Sequence, residues 1–349
     1  MENTVGPARL VAMRLVGERA ATPHDAAAWL GCAQGQDLPG VLSSIALRTS
    51  SGSEDEVRAA FDDGRIVRSW PMRGTLHVVA AEDLAWMLPL GTPRPLAAAA
   101  KRRAGLGLSE ATLERAGEVA AEVLRGGGRR TRAGMSEAWA AAGLDLTSSR
   151  AYHALSVLCQ RGLLVQGPFV SPKETERSGA RPSRQEQAFV LLAEWVPQPR
   201  RLDRDEALAE WARRYFRSHG PAHRKDFARW SGLPAADVTT AIEGARADLA
   251  ETDGLLHDPE LPDRLAAAGV PEELLLPGFD EFVLGYADRS HVLDPAHLER
   301  IVPGNNGIFR PTVVRGGRVV GTWSWQGTGR NRRVERELFG APEGQTAGS

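Results

Sequence analysis

Along this chain, apolar residues recur at the three-to-four spacing of a helix and then give way to short β-rich runs, three times over. The first stretch opens with "PARLVAMRLVG" and passes through "LGCAQGQDLP" into the apolar-faced helix "GVLSSIALRT". "SEDEVRAAFDDG" follows, a helix begun by acids. The runs "IVRSW" and "TLHVV" then flank Pro71-Met72-Arg73-Gly74, which predicts a hairpin. The second stretch repeats the plan. "SEATLERAGEVAAEVLR", capped by Ser109, leads through "TRAGMSEAWAAAGL" and "TSSRAYHALSVLCQRG" into strand-like "LLVQG". The third runs "RDEALAEWARRYFRSHGPAHRKDFARWSGLPAADVTTAIEGA", with a Gly-Pro break and a Gly-Leu-Pro turn separating a long helix from two short ones. That is the order of a helix-turn-helix.

From about residue 273 the pattern changes to β-branched and aromatic runs, and "VVRGGRVV" predicts another hairpin. The expected fold class is therefore α+β, mainly α: tandem winged-helix units followed by a small antiparallel barrel or sheet. The boundaries fall at 1–105, 106–195 and 196–272 for the three units, 273–340 for the β-rich part and 341–349 for a frayed tail. "SPKETERSGARPSRQEQ", polar and rich in Pro and Gly, is expected to be a loop or an extended wing.

With 349 residues, 42% hydrophobic and 25% charged, the chain is long enough for several packed units. The formal net charge of −1 decides nothing about a polyanionic partner, which needs only a local basic face. Arginine dominates the basic residues; Lys101, Lys173 and Lys225 are the only lysines, so a catalytic lysine has few places to be. Cys32 and Cys159 are too few for a disulfide framework or a zinc site. No leader-like N-terminus and no apolar run of about 20 residues is present, so a cytoplasmic protein without a membrane partner is expected.

His219 and His223 stand four apart, but Gly220 and Pro221 break the helix that would align them as metal ligands, so no metal is expected. His77, in a β-rich run, reads as a satisfied core or surface histidine and not as a base. No nucleophile elbow, phosphate loop or dinucleotide fingerprint occurs, and no cofactor is expected. Arginines cluster at the predicted turns: Arg65, Arg68 and Arg73 at the first hairpin, Arg129, Arg130 and Arg132 in the second unit's loop, Arg150 at a helix start, Arg315 and Arg318 at the Gly-Gly turn. Solvation alone accounts for many such arginines. Their placement also suits phosphate contact, and Arg73, Arg129, Arg130, Arg150, Arg315 and Arg318 are the DNA-binding candidates.

"CAQGQDLPGVLSSIALR", "VRSWPMRGTLHVV", "DFARWSGL", "LPGFDEFVLGYADRSHVLD" and "NNGIFRPTVVRGGRVVGTW" together resemble the AlkZ-type winged-helix DNA glycosylases of the helix-turn-helix 42 superfamily. The resemblance implies tandem winged helices scaffolded on a C-terminal β-barrel. It also implies excision of N7-alkylated purines from double-stranded DNA, in some members from interstrand crosslinks or bulky antibiotic adducts as self-resistance. The family's catalytic signature is glutamine, a hydrophobic residue, then glutamine or aspartate. Gln34 and Gln36 match its ends, while Gly35 replaces the hydrophobic middle and removes a side chain that would pack behind the loop.

A purine made cationic by alkylation already leaves readily. What remains is to stabilise a cationic sugar and hold a water, which carboxamides do without gaining or losing a proton. Asp37 is a secondary candidate, as a base. With no lysine near residue 34, hydrolysis without lyase chemistry is expected, by a monomer. The alternatives are a non-catalytic winged-helix DNA-binding protein, such as a transcriptional regulator, and a purely structural interaction protein.

Overall fold

The computed structural model describes residues 4–170, 186–269 and 271–340. The expected tail and nearly all of the "SPKETERSGARPSRQEQ" segment lie outside these residues. No helix among them is long and apolar enough to cross a membrane.

The first repeat begins with helix Pro23–Leu30, where the Thr22 hydroxyl accepts the Asp25 amide. Strand β1 (Ala33–Gln34) follows, then helices Leu38–Ala46 and Glu54–Asp62. Ser53 caps the last of these, and Glu54, Asp55 and Glu56 in its first turn oppose the helix dipole. Strands β2 (Ile66–Met72) and β3 (Thr75–Ala80) form the predicted hairpin. Arg73 and Gly74 at its tip have φ of 54° and 69°, as a two-residue turn that matches the strand twist requires.

The second repeat has helices Glu110–Leu124, Arg132–Ala141 and Ser148–Gln160, then β4 (Leu164–Phe169) and β5 (Gln187–Leu191). The third has helices Arg204–His219, Arg224–Ser231 and Ala235–Ala245, then β6 (Ala250–Thr252) and β7 (Leu255–His257).

In every repeat the link between the first two helices pairs antiparallel with the second wing strand. Gln34 faces His77, Arg130 faces Phe189 and Ala222 faces Leu256. Gln34 thus occupies a backbone position that the architecture makes three times. The wings of the first two repeats merge into one sheet, ordered β1-β3-β2-β4-β5, joined where Arg68 faces Gln166.

The third repeat carries the densest aromatic packing. Trp211, Tyr215, Phe216, Phe227 and Trp230 are all buried there.

Among the described residues, the C-terminal strands β8 (Leu274–Leu276), β9 (Thr312–Arg315), β10 (Arg318–Gln326) and β11 (Arg333–Leu338) are not closed into the expected barrel. They make an open sheet ordered β11-β10-β9-β8, and its outer strands do not pair with each other. The chain between β8 and β9 goes to the site described below instead of adding strands. The Gly-Gly turn joining β9 and β10 is not a free tip. A Cβ on Gly6 would meet the Gly317 carbonyl at 2.3 Å, so the turn is docked on helix Val5–Ala12.

Candidate active site

The loop between the first two helices of the first repeat opens onto a cavity of about 690 Å³. Gln34, Gln36 and Asp37 form one wall, and Arg73 and Thr75 from the hairpin tip form another. Arg229 comes from the third repeat's short helix, and Phe279, Leu284, Arg289 and residues 306–309 from the excursion between β8 and β9. Among the described residues no lysine lines this cavity, and no group of three His, Cys, Asp or Glu side chains gathers to hold a metal.

The two glutamines interlock. The Gln36 amide N–H donates to Gln34 Oε1 at 3.0 Å, and Gln34 Nε2 donates to Gln36 Oε1 at 3.2 Å. A backbone N–H can only donate, so the Gln34 atom facing it is the oxygen, and that choice fixes both carboxamides. Each amide oxygen accepts two hydrogen bonds and uses one here, so each keeps a lone pair free. Gln34 is 6% exposed whereas Gln36 is open to solvent, so the pair spans from the cavity floor to its mouth.

Gly35 does not leave this loop slack. Its N–H donates to Leu76 O at 2.8 Å, and its carbonyl accepts from Arg68 Nε at 2.7 Å. A Cβ there would lie 3.3 Å from the His77 carbonyl carbon, so the missing side chain lets the loop lie flat on β3. Arg68 also donates to Gln166 Oε1 at 2.8 Å, and burial brings its guanidinium down to about 10. It is a clamp on the loop.

Behind the loop, Glu281 Oε1 accepts the Gln34 backbone N–H at 2.9 Å. Its Oε2 accepts from Trp230 Nε1 at 3.0 Å and lies 3.4 Å from His219 Nε2. Burial alone would raise this carboxyl. The hydrogen bond with His219, and then the Arg73 charge, carry it below the ordinary glutamate range. His219 is stacked on Tyr215 at 4.6 Å, and burial lowers its own pKa.

The neighbouring Asp280 is paired instead with Arg48, through contacts of 2.8 and 2.9 Å, and accepts from Ser44 Oγ at 2.7 Å. Two adjacent carboxylates therefore tie the C-terminal segment to the glutamine loop and to the helix that follows it.

His77, which sits across from Gln34, is brought down to about 3 by burial and then by the adjacent Arg73 charge. Its Nδ1 donates to Thr75 O at 2.9 Å, so Nε2 is the acceptor for Arg73 Nη2 at 2.9 Å. That nitrogen has no lone pair left to act as a base.

Arg73, Arg229 and Arg289 point to the cavity, and none enters an ion pair within 4 Å of a carboxylate among the described residues. Arg289 donates to Val283 O at 2.8 Å and lies over the Phe309 ring at 5.2 Å. Burial, followed by the Arg229 charge, lowers its guanidinium to about 10.

Of the arginines singled out in the sequence, only Arg73 lines the cavity. Arg150 pairs with Asp145 at 3.1 Å, and Arg315 with Glu273 at 2.8 Å. Arg318 is half-buried on β10. Arg129 and Arg130 are exposed, and the Arg129 guanidinium sits over the Trp195 ring at 5.3 Å. Asp37, directly after the glutamines, does reach the cavity, as it starts helix Leu38–Ala46.

Sequence reasoning missed Arg229, Arg289, Phe279, Ile308 and Glu281. The readable signal was the acidic pair Asp280-Glu281 inside the otherwise apolar "LLLPGFDEFVLG".

The family profile "DNA glycosylase AlkZ-like" matches residues 27–347. The chain belongs to the AlkZ-like DNA glycosylase family. It is 28% identical over 302 residues to an interstrand DNA cross-link repair glycosylase of Streptomyces sahachiroi, covering 80% of this chain and 76% of that relative. The solved structure of Streptomyces sahachiroi DNA glycosylase AlkZ has the same fold, with a TM-score of 0.77. That likeness spans 98% of this chain and 91% of the other at 23% identity. The protein is a DNA glycosylase.

Proposed function

We propose that the protein hydrolyses the N-glycosidic bond of N7-alkylated purines in double-stranded DNA, with the attacking water held by Gln34 and Gln36. The observation that carries this reading is the interlocked carboxamide pair, two oxygens with one free lone pair each, facing a cavity whose mouth holds three guanidiniums without ion pairs. The guanidiniums hold backbone phosphates. The C1′–N9 bond breaks with its electron pair going to the purine, which cancels the charge left by alkylation. Water, hydrogen-bonded to both glutamine oxygens, adds to the cationic C1′, and its proton passes to Asp37 or to solvent. Products are the free modified base and an abasic site. With no lysine lining the cavity among the described residues to form an imine, the strand stays uncut.

The substrate range extends to interstrand crosslinks, as the name of the Streptomyces sahachiroi relative describes for that protein. Phe279, Phe309 and Ile308 give the cavity an apolar side for a bulky adduct. Incubation with duplex DNA carrying one N7-methylguanine tests the proposal. It predicts free base and alkali-labile sites without strand breaks before alkali. Tight binding with no base release would reject N7-methylguanine as a substrate, and with it the reaction proposed for Gln34 and Gln36.

A further inference from the structure

We propose, resting on the water-holding role assigned to Gln34 and Gln36, that Glu281 is a positioning residue whose negative charge behind the loop stabilises the cationic sugar. Glu281 is 1% exposed and ties the first repeat's loop to Trp230 and His219 of the third. Burying a carboxylate is costly unless a cation pairs with it. Asp280 next to it has such a cation, Arg48. Glu281 has none: among the described residues its nearest ionisable contact is His219, which burial disfavours as a cation.

If its task were only to anchor the Gln34 N–H, a neutral carbonyl would do so without that cost. A charge kept in place at 2.9 Å from the Gln34 nitrogen, on the side of the loop away from the cavity, acts on whatever cation forms in front of the loop. Among the guanidiniums of the described residues, Arg73 opposes it most strongly. Arg73 donates to neutral His77 and faces the cavity, where a bound phosphate neutralises it and leaves the Glu281 charge uncompensated.

The test uses duplexes with two unreactive abasic analogues, a protonated pyrrolidine that mimics the sugar cation and a neutral tetrahydrofuran. Wild-type protein should bind the pyrrolidine duplex tighter by about tenfold. Glu281→Gln should lose that preference while binding tetrahydrofuran DNA to within about threefold of wild type, with single-turnover excision about tenfold slower. Glu281→Asp keeps the charge and shortens its reach to Gln34, so it should retain the preference while excising more slowly.

A wild type that does not distinguish the analogues, or a Glu281→Gln variant that still prefers the cation, overturns the proposal. Should Glu281→Gln fail to fold, loss of the preference in Glu281→Asp does the same. Gln34→Ala and Gln36→Ala are run alongside. Unchanged excision in both rejects the water-holding reading itself, and slowed excision with an intact cation preference in Glu281→Gln rejects only the role of Glu281.

Discussion

The geometry of the glutamine pair makes its two members unequal, and that inequality is measurable. Gln34→Ala removes one water acceptor and both hydrogen bonds that orient Gln36, because Gln34 Oε1 holds the Gln36 N–H and Gln34 Nε2 holds Gln36 Oε1. Gln36→Ala removes the other acceptor but leaves its own backbone N–H on Gln34 Oε1. Losing one preorganised transition-state partner costs about 10²-fold in rate, or about 2.7 kcal/mol. Two orienting hydrogen bonds contribute about 1 kcal/mol each to keeping Gln36 in place. Gln34→Ala should therefore slow single-turnover release of N7-methylguanine by about 10²-fold or more, and Gln36→Ala by about tenfold to 10²-fold. The double variant should match Gln34→Ala to within about threefold, since Gln36 no longer helps once Gln34 is gone. Rates are measured with enzyme in excess over a labelled duplex, and affinity by anisotropy in parallel. Multiplying single effects in the double variant, or a larger loss from Gln36→Ala, would refute the interlock as the working arrangement.

Other consequences follow from the same contacts. Arg229→Ala and Arg289→Ala should each lower the slope of log affinity against log salt by about one, whereas Arg150→Ala and Arg315→Ala, already paired with Asp145 and Glu273, should leave it nearly unchanged. Arg68→Ala strips the clamp from Gly35 O and leaves Gln166 without its partner, so it should slow excision while DNA affinity holds. Acid sensitivity is also expected. His77 has a folded pKa of about 3, below its unfolded value, so its contribution is complete above about pH 6.5 and is lost as pH falls towards the folded value. The loss approaches about 1.4 kcal/mol per pH unit, and urea midpoints between pH 7 and 5 should fall more in wild type than in His77→Gln; equal falls would contradict the assignment.

What the sequence revealed follows the range of the interactions. Individual helices and the first hairpin were legible because they rest on local signals: Ser53 and Ser109 at helix starts, the Gly-Pro break at 220–221, the turn residues Arg73-Gly74. Barrel closure was not legible, because it depends on whether β8 meets β11 across more than fifty intervening residues. Merging of two wings into one sheet rests on a single pairing, Arg68 with Gln166, that no local pattern encodes. The glutamines were singled out through their motif, and they line the cavity. The partner that holds Gln34 from behind lies 247 residues away, and only folding brings Glu281 there. The pairing of a turn-tip arginine was hidden for the same reason: Arg315 looks free in sequence and meets Glu273 in space.

Gly35 lies flat on β3, between the two glutamines. The family resemblance leads one to expect that a hydrophobic residue restored at this position would improve the loop, since a side chain would pack behind it. The contacts argue the opposite sign. A Cβ at position 35 meets the His77 carbonyl carbon at 3.3 Å, its Cα at 3.4 Å and the Val78 nitrogen at 3.4 Å. Those atoms belong to β3, which is held by β1 on one side and β2 on the other and cannot yield by itself. The loop must give instead, and it is the segment that carries both glutamines. Replacing glycine by alanine restrains the unfolded chain and returns about 0.4–1 kcal/mol, while a forced contact in a packed region costs about 1–3 kcal/mol. Gly35→Ala should therefore be destabilised by about 1 kcal/mol, and Gly35→Leu by more, with excision falling further than stability because the displaced loop misaligns Gln34. Urea unfolding and single-turnover excision on the same preparations check both halves. A Gly35→Leu protein as stable and as fast as wild type would mean that β3 and the loop separate more easily than their hydrogen bonds imply.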